Sequence, residues 1–213
     1  MVCIKVCGIT RKEDARVLSM MPIWAMGFIQ VEASPRYIRP EMAKEIIRTL
    51  PTRIVPVGVF QNENIHEIKC LKAYCGFQLV QLHGEESPSL CSQLRGGVIR
   101  AFGVGEKFDG KALPDFFPVV DYLLFDTQVR GKSGGTGRPF PWNTLQDIDM
   151  QGKPFIIAGG LSENNVFDCL RAIHPFAVDL NSGVELFPGK KDVEKIKNLL
   201  DRMASCSSKP PLL

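Results

Sequence analysis

The sequence predicts an α/β protein, a compact single-domain (β/α)8 TIM barrel over residues 1–204. Three observations predict it. Eight short apolar runs of strand length alternate with helical or loop segments, the pattern of parallel βα units, and eight such units close a barrel. Cys7, His83, Asp126 and Asp179 each end one of those runs and Arg36 lies in the loop after another, while the loops after the strands form the active face of such a barrel. Glycines follow the seventh and eighth runs, where barrels of this kind commonly bind phosphate. An open doubly wound sheet is the alternative. It normally carries a Gly-rich fingerprint after its first strand, and here only Gly8 follows.

The elements follow in order. In the opening strand Val2, Ile4 and Val6 alternate with Cys3, Lys5 and Cys7, so one face is apolar and the other carries Lys5 and Cys7 together. Thr10 is placed to cap a helix over 11–20, with Glu13 at the capping-box position. Strands are predicted over 23–29, 54–60, 77–83, 97–102, 121–126, 154–158 and 176–180. Pro40 opens a helix to about residue 50, since proline suits the first helical position. Further helices are expected over 63–74, 88–95, 164–173 and 192–203. The Gly- and Pro-containing stretch 108–117 predicts a weak or absent helix after strand five. The Ser-, Pro- and Lys-containing tail 205–213 is expected to be disordered.

Composition narrows the function classes. The 213 residues are 45% hydrophobic and 23% charged, with a net charge of +3. That charge is too small to argue for nucleic acid or membrane binding. No apolar run approaches the ~20 residues of a membrane span, and no signal-peptide series opens the chain. Seven cysteines without paired metal-type spacing then read as reduced thiols in a cytoplasmic protein.

Cys7 sits where a base would act. A buried cysteine packed as a small hydrophobe is the plain alternative. A thiol with a pKa of about 8.5 is a poor base at neutral pH. Lys5, about 6.6 Å back along the strand, and the helix start after Thr10 would both favour the thiolate. Asp126 is either a solvated strand-end carboxylate or an acid whose pKa its apolar neighbours raise enough to donate a proton. Arg36 is either a solvated loop arginine or a bidentate partner for a carboxylate. His83, on the same face as Gln81, is the weakest candidate. Gly131-Lys132-Ser133 imitates the end of a P-loop, but position 126 holds Asp where that motif needs Gly, so a nucleotide site is rejected. Gly134, Gly135 and Gly137 instead suit a lid loop. The runs Ala158-Gly159-Gly160-Leu161 and Leu180-Asn181-Ser182-Gly183 suit phosphate, with Phe187-Pro188-Gly189 as the start of an extra turn.

These runs together resemble the phosphoribosylanthranilate isomerases of tryptophan biosynthesis. The likeness extends from Lys5-Val6-Cys7-Gly8-Ile9-Thr10 through Gly27-Phe28-Ile29, Ser34-Pro35-Arg36-Tyr37-Ile38, Val57-Gly58-Val59-Phe60 and Val80-Gln81-Leu82-His83-Gly84. It continues in Phe125-Asp126-Thr127, Gly134-Gly135-Thr136-Gly137, Ala158-Gly159-Gly160-Leu161 and Val178-Asp179-Leu180-Asn181-Ser182-Gly183-Val184-Glu185. The resemblance implies an Amadori rearrangement with Asp126 as general acid and Cys7 as general base. It implies that Arg36 binds the anthranilate carboxylate and that Gly159, Gly160, Ser182 and Gly183 hold the phosphate. Lys5, His83 and Asp179 would line the pocket. No metal or redox cofactor is implied, and the partner is a small phosphosugar–anthranilate substrate for a monomer or homodimer. Two places depart from the family pattern: the bulky stretch 19–24, and Asn181 where a small residue is common. The histidine-pathway phosphoribosyl isomerase shares barrel and reaction, but it is expected to use a carboxylate at position 7 and a second phosphate loop after strand three. A catalytically inactive barrel that only binds a phosphate ligand or a partner protein is the alternative of another class.

Overall fold

The computed structural model describes residues 2–94, 96–105, 108–129, 132–133 and 140–207, without the side chains at 128, 129, 132, 133 and 205–207. Eight parallel strands form the barrel: β1 (Cys3–Val6), β2 (Ala25–Ile29), β3 (Val55–Phe60), β4 (Leu79–Leu82), β5 (Val98–Val104), β6 (Tyr122–Val129), β7 (Phe155–Ile157) and β8 (Ala177–Leu180). Each pairs with the next, and β8 pairs back on β1 with Lys5 opposite Asp179, which closes the sheet.

The helices are α1 (Lys12–Leu18), α2 (Pro40–Ile47), α3 (Ile65–Cys75), α4 (Pro88–Ser92), α5 (Leu113–Phe116), α6 (Val166–Ala172) and α7 (Val193–Ser207). α5 is a single turn, as the Gly- and Pro-containing sequence predicts. A 3-10 turn, Trp142–Leu145, stands between β6 and β7. α7 runs to Ser207, three residues into the segment expected as a tail; residues 208–213 lie outside the described residues.

Two helix starts show what sequence rules capture and miss. Asn64 caps α3 by accepting from the His66 N–H at 2.8 Å, and Gly76 ends that helix at φ 83°. Thr10, expected to cap α1, does not. That helix starts at Lys12 after an extended Arg11 with no side-chain cap. The Thr10 hydroxyl donates instead to the Gly189 carbonyl at 2.5 Å, because the hairpin after β8 brings an acceptor to it.

Alternation along the strands separates two cores. Ile4, Val6, Phe28, Leu82, Phe125 and Leu180 face outward under the helices, where each buried Leu, Ile or Phe contributes about 1.5–3 kcal/mol. Inside the barrel lie Ala25, Val57, Ile99, Leu124, Ile156 and Ala177. Trp24 packs on Tyr122 and Phe176 with ring centroids 5.5 and 5.0 Å away, and all three rings pack against that inner core. This accounts for the bulk at 19–24: Trp24 helps close the N-terminal end of the barrel. The polar residues are left to the other end.

Candidate active site

A cavity of about 930 Å³ opens at the C-terminal ends of the strands, lined by Cys7, Arg36, His83, Asp126, Asp179 and the glycine loops after β7 and β8. Of the residues expected there, Lys5 is the exception. It is fully buried and lies outside the cavity lining, because β1 places it one layer below Cys7. The expected lid glycines Gly134, Gly135 and Gly137 lie outside the described residues.

Cys7 extends the β1 ladder, its N–H donating to the Leu180 carbonyl at 2.8 Å. A Cβ on Gly27 would stand 2.6 Å from Cys7 Sγ, so the neighbouring strand needs glycine to admit the thiol. Lys5 Nζ donates to Asp179 Oδ2 at 2.5 Å. Burial would strip the Lys5 proton; the Asp179 carboxylate and Cys7 outweigh it and hold the ammonium charged, above the usual lysine range. Lys5 favours the Cys7 thiolate, as expected, but it does not prevail. Burial pushes the thiol up, Lys5 and Lys191 pull it down, and Asp179 pushes it up again, so it ends above its ordinary value. Burial is the larger effect, and Asp179 offsets part of what Lys5 does.

Asp126 is held by a chain of polar groups rather than by the apolar neighbours expected. Phe125 faces the outer core and Leu124 the barrel interior. The carboxylate between them accepts from its neighbour's Thr127 N–H at 2.7 Å through Oδ1. His83 Nε2 lies 3.2 Å from Oδ2, and Gln81 Nε2 lies 2.9 Å from His83 Nδ1. Gln81 and Asp126 thus each engage one ring nitrogen of His83 and fix the plane of the imidazole.

The loops after β7 and β8 meet at the other side of the mouth. Gly159 and Gly160 adopt φ of 84° and 64°. A Cβ on Gly183 would overlap the Leu161 carbonyl, so the two loops can touch only with glycine there. A 3-10 turn begins at Ser182. The extra turn expected at 187–189 is instead the bend of an antiparallel hairpin, Glu185–Phe187 with Lys190–Lys191, because Pro188 and a Gly189 at φ 85° reverse the chain.

That hairpin brings two site residues the sequence reading did not single out. Glu185 grips Arg36, accepting from Nε at 3.0 and 2.9 Å and from Nη2 at 2.7 Å. Lys191 Nζ donates to Glu185 Oε1 at 2.8 Å and to Asn181 Oδ1 at 3.1 Å. Asn181, the second departure from the expected pattern, thus has a function as a lysine partner. Burial opposes ionisation of Glu185, but Arg36 and Lys191 overcome it and hold the carboxyl below the usual range. Burial pulls Lys191 below the usual lysine range, with Glu185 offsetting part of the effect. The hairpin register turns Lys191 inward. Among the described residues no group of three or more His, Cys, Asp or Glu is arranged to hold a metal.

Comparison with known proteins gives the same assignment. Residues 4–202 match the family model of N-(5'phosphoribosyl)anthranilate (PRA) isomerase. The chain is 41% identical to the N-(5'-phosphoribosyl)anthranilate isomerase of Petrotoga mobilis, over 98% of this chain and 100% of that protein. It superposes on the crystal structure of phosphoribosyl anthranilate isomerase from Thermotoga maritima with a TM-score of 0.88 and 36% identity, covering 97% and 100% of the two chains. A phosphoribosyl anthranilate isomerase in complex with reduced 1-(o-carboxyphenylamino)-1-deoxyribulose 5-phosphate matches with a TM-score of 0.85 and 36% identity, over 96% and 100%. By barrel, pocket and near-complete sequence match, the chain belongs to the N-(5'-phosphoribosyl)anthranilate isomerase family.

Proposed function

We propose that the protein isomerises N-(5-phosphoribosyl)anthranilate to 1-(2-carboxyphenylamino)-1-deoxyribulose 5-phosphate in tryptophan biosynthesis, and that it does so in the cytoplasm. The observation that carries this reading is the joint presence of Cys7, Asp126, Arg36 and the two glycine loops around one cavity. The relative bound to the reduced product analogue supports the same ligand here.

The chemistry needs two proton transfers. Asp126, once protonated, gives its proton to the ribose ring oxygen as the C1–O bond breaks, which leaves a protonated Schiff base between C1 and the anthranilate nitrogen. Cys7, once deprotonated, removes the proton on C2, and the electron pair moves toward the cationic nitrogen to give an enolamine. Tautomerisation places a proton on C1 as the C2 hydroxyl gives up its own, which yields the ketone. Each step is general acid or base catalysis. Arg36 pairs with the anthranilate carboxylate, and the backbone around Gly159, Gly160, Ser182 and Gly183 holds the phosphate. Holding both ends fixes C1 and C2 between acid and base.

The test generates the unstable substrate in place from anthranilate and phosphoribosyl pyrophosphate with the preceding transferase. Loss of the substrate's fluorescence on adding the protein is the expected result. Unchanged fluorescence with active transferase overturns the assignment and favours a barrel that only binds.

A further inference from the structure

Arg36 meets a carboxylate within the protein before it meets any substrate. Glu185 takes the Nε and Nη2 side of the guanidinium. A lone Arg–Glu pair has no net charge to offer a second carboxylate. Lys191 changes that balance. Its side chain is 0% exposed, against 15% for Arg36 and 3% for Glu185, so the second cation lies behind the pair and out of water. The three groups together carry one net positive charge.

The surroundings leave that charge standing. Asp14 Oδ2 accepts the backbone N–H of Lys191 at 2.9 Å, at the far end of the residue from the ammonium. Asn181 gives Lys191 a neutral acceptor. Cys7 is a thiol held above its ordinary value, and Asp179 is matched by Lys5. Gly8 makes the cluster's closeness possible: a Cβ there would stand 2.8 Å from Asn181 Oδ1 and 2.9 Å from Arg36 Cδ. Burying a cation is costly, and packing alone would be served by an apolar side chain at position 191.

We infer that Glu185 and Lys191 are positioning residues that set the charge of the Arg36 site to accept one carboxylate, so that they select an acidic aromatic amine over a neutral one. The inference rests on the reading of Arg36 under Proposed function. Glu185 fixes the plane of the guanidinium, and Lys191 restores the positive charge that Glu185 removes. Glu185 occupies Nε and Nη2, which leaves the end-on edge of Arg36, at Nη1, for a ligand in the cavity that Arg36 lines.

Two inert ligands test it: the reduced carboxyphenylamino deoxyribulose phosphate, and its phenylamino counterpart without the carboxylate. The quantity read is the ratio of their Kd values by calorimetry. The wild-type protein is expected to prefer the carboxylate. Lys191→Met, which brings the cluster to zero charge, is expected to shrink that ratio at least about tenfold, with the affinity for the neutral ligand retained. The double variant Glu185→Gln/Lys191→Met returns the cluster to one positive charge and is expected to regain most of the preference. Should Lys191→Met not fold, Glu185→Gln decides, with a ratio at or above wild type expected and a fall overturning the inference. An unchanged ratio in Lys191→Met, equal weakening of both ligands, or no recovery in the double variant also overturns it. A wild-type protein that binds both ligands equally removes the carboxylate role of Arg36 and this inference with it; one that binds neither overturns the proposed function itself.

Discussion

His83 Nε2 lies 3.2 Å from Asp126 Oδ2, linking the end of β4 to the carboxylate on β6. Gln81, two residues before His83, fixes the other ring nitrogen at 2.9 Å. The proposed acid is thus aimed by a histidine that is itself aimed by an amide. His83→Ala is expected to lower kcat about tenfold with little change in KM, since the effect runs through the acid. Gln81→Leu is expected to do the same more weakly. A loss confined to KM in either variant would place the pair in substrate binding instead.

The proposed chemistry separates residues by which constant they move. Cys7→Ala and Asp126→Asn are each expected to reduce kcat at least ~100-fold, the scale of general acid–base groups. Arg36→Met is expected to act mainly on KM, because the carboxylate is held in ground and transition state alike. Steady-state rates at saturating substrate check both, and wild-type turnover in either of the first two variants removes that residue from the mechanism.

The ligand-free Cys7 thiol resists deprotonation because burial outweighs the nearby lysines. Its alkylation rate should therefore rise with pH to a midpoint above the pKa of about 8.5 of a free thiol. Lys191→Met is expected to shift that midpoint further up, because Lys191 is one of the two cations that lower it. Iodoacetamide labelling of Cys7 followed by peptide mass spectrometry, from pH 7 to 10, reads both. A midpoint below that of a free thiol would show that the lysines win.

Most of this fold is legible in the sequence because its signals are local. A strand such as β3 carries its own apolar run between turns, and polar residues at strand ends mark the active mouth before any contact is known. Cys7, Asp126 and Arg36 all reach the one cavity for that reason. What is not legible depends on partners distant along the chain. Thr10 looks like a cap until Gly189 competes for its hydroxyl. Lys5 looks like a sufficient activating cation until burial of the thiol outweighs it and Asp179, 174 residues away, pairs with it. Lys191 draws no notice in the sequence, because only the hairpin brings it onto Glu185.

The Lys5–Asp179 pair makes its own prediction for stability. Lys5 is fully buried and Asp179 nearly so. Lys5→Met should cost about 3–5 kcal/mol, because it leaves a carboxylate buried without its cation. Lys5→Met with Asp179→Leu should recover a large part of that loss, since replacing both members of a buried pair is often close to neutral. Urea unfolding of the three proteins measures it; equal losses in the single and double variants would count against the pair as the cause.

Glu185 ties the site to acid stability. Its burial favours the neutral form, yet hydrogen bonds from Arg36 and Lys191 hold the folded pKa below the ordinary value. The unfolded chain therefore binds the proton more tightly than the folded one. The stabilisation is fully present above the unfolded pKa of about 4.3 and is lost as pH falls through the lower folded value. Below that point a neutral Glu185 leaves two cations facing each other with less than 16% side-chain exposure apiece. Glu185→Gln has no such proton to gain. Its stability deficit against wild type should be largest near neutral pH and should shrink as pH drops below about 4.3. Urea midpoints of both proteins between pH 7 and pH 3 give the comparison, and a deficit that stays constant or widens toward acid would contradict the depressed pKa.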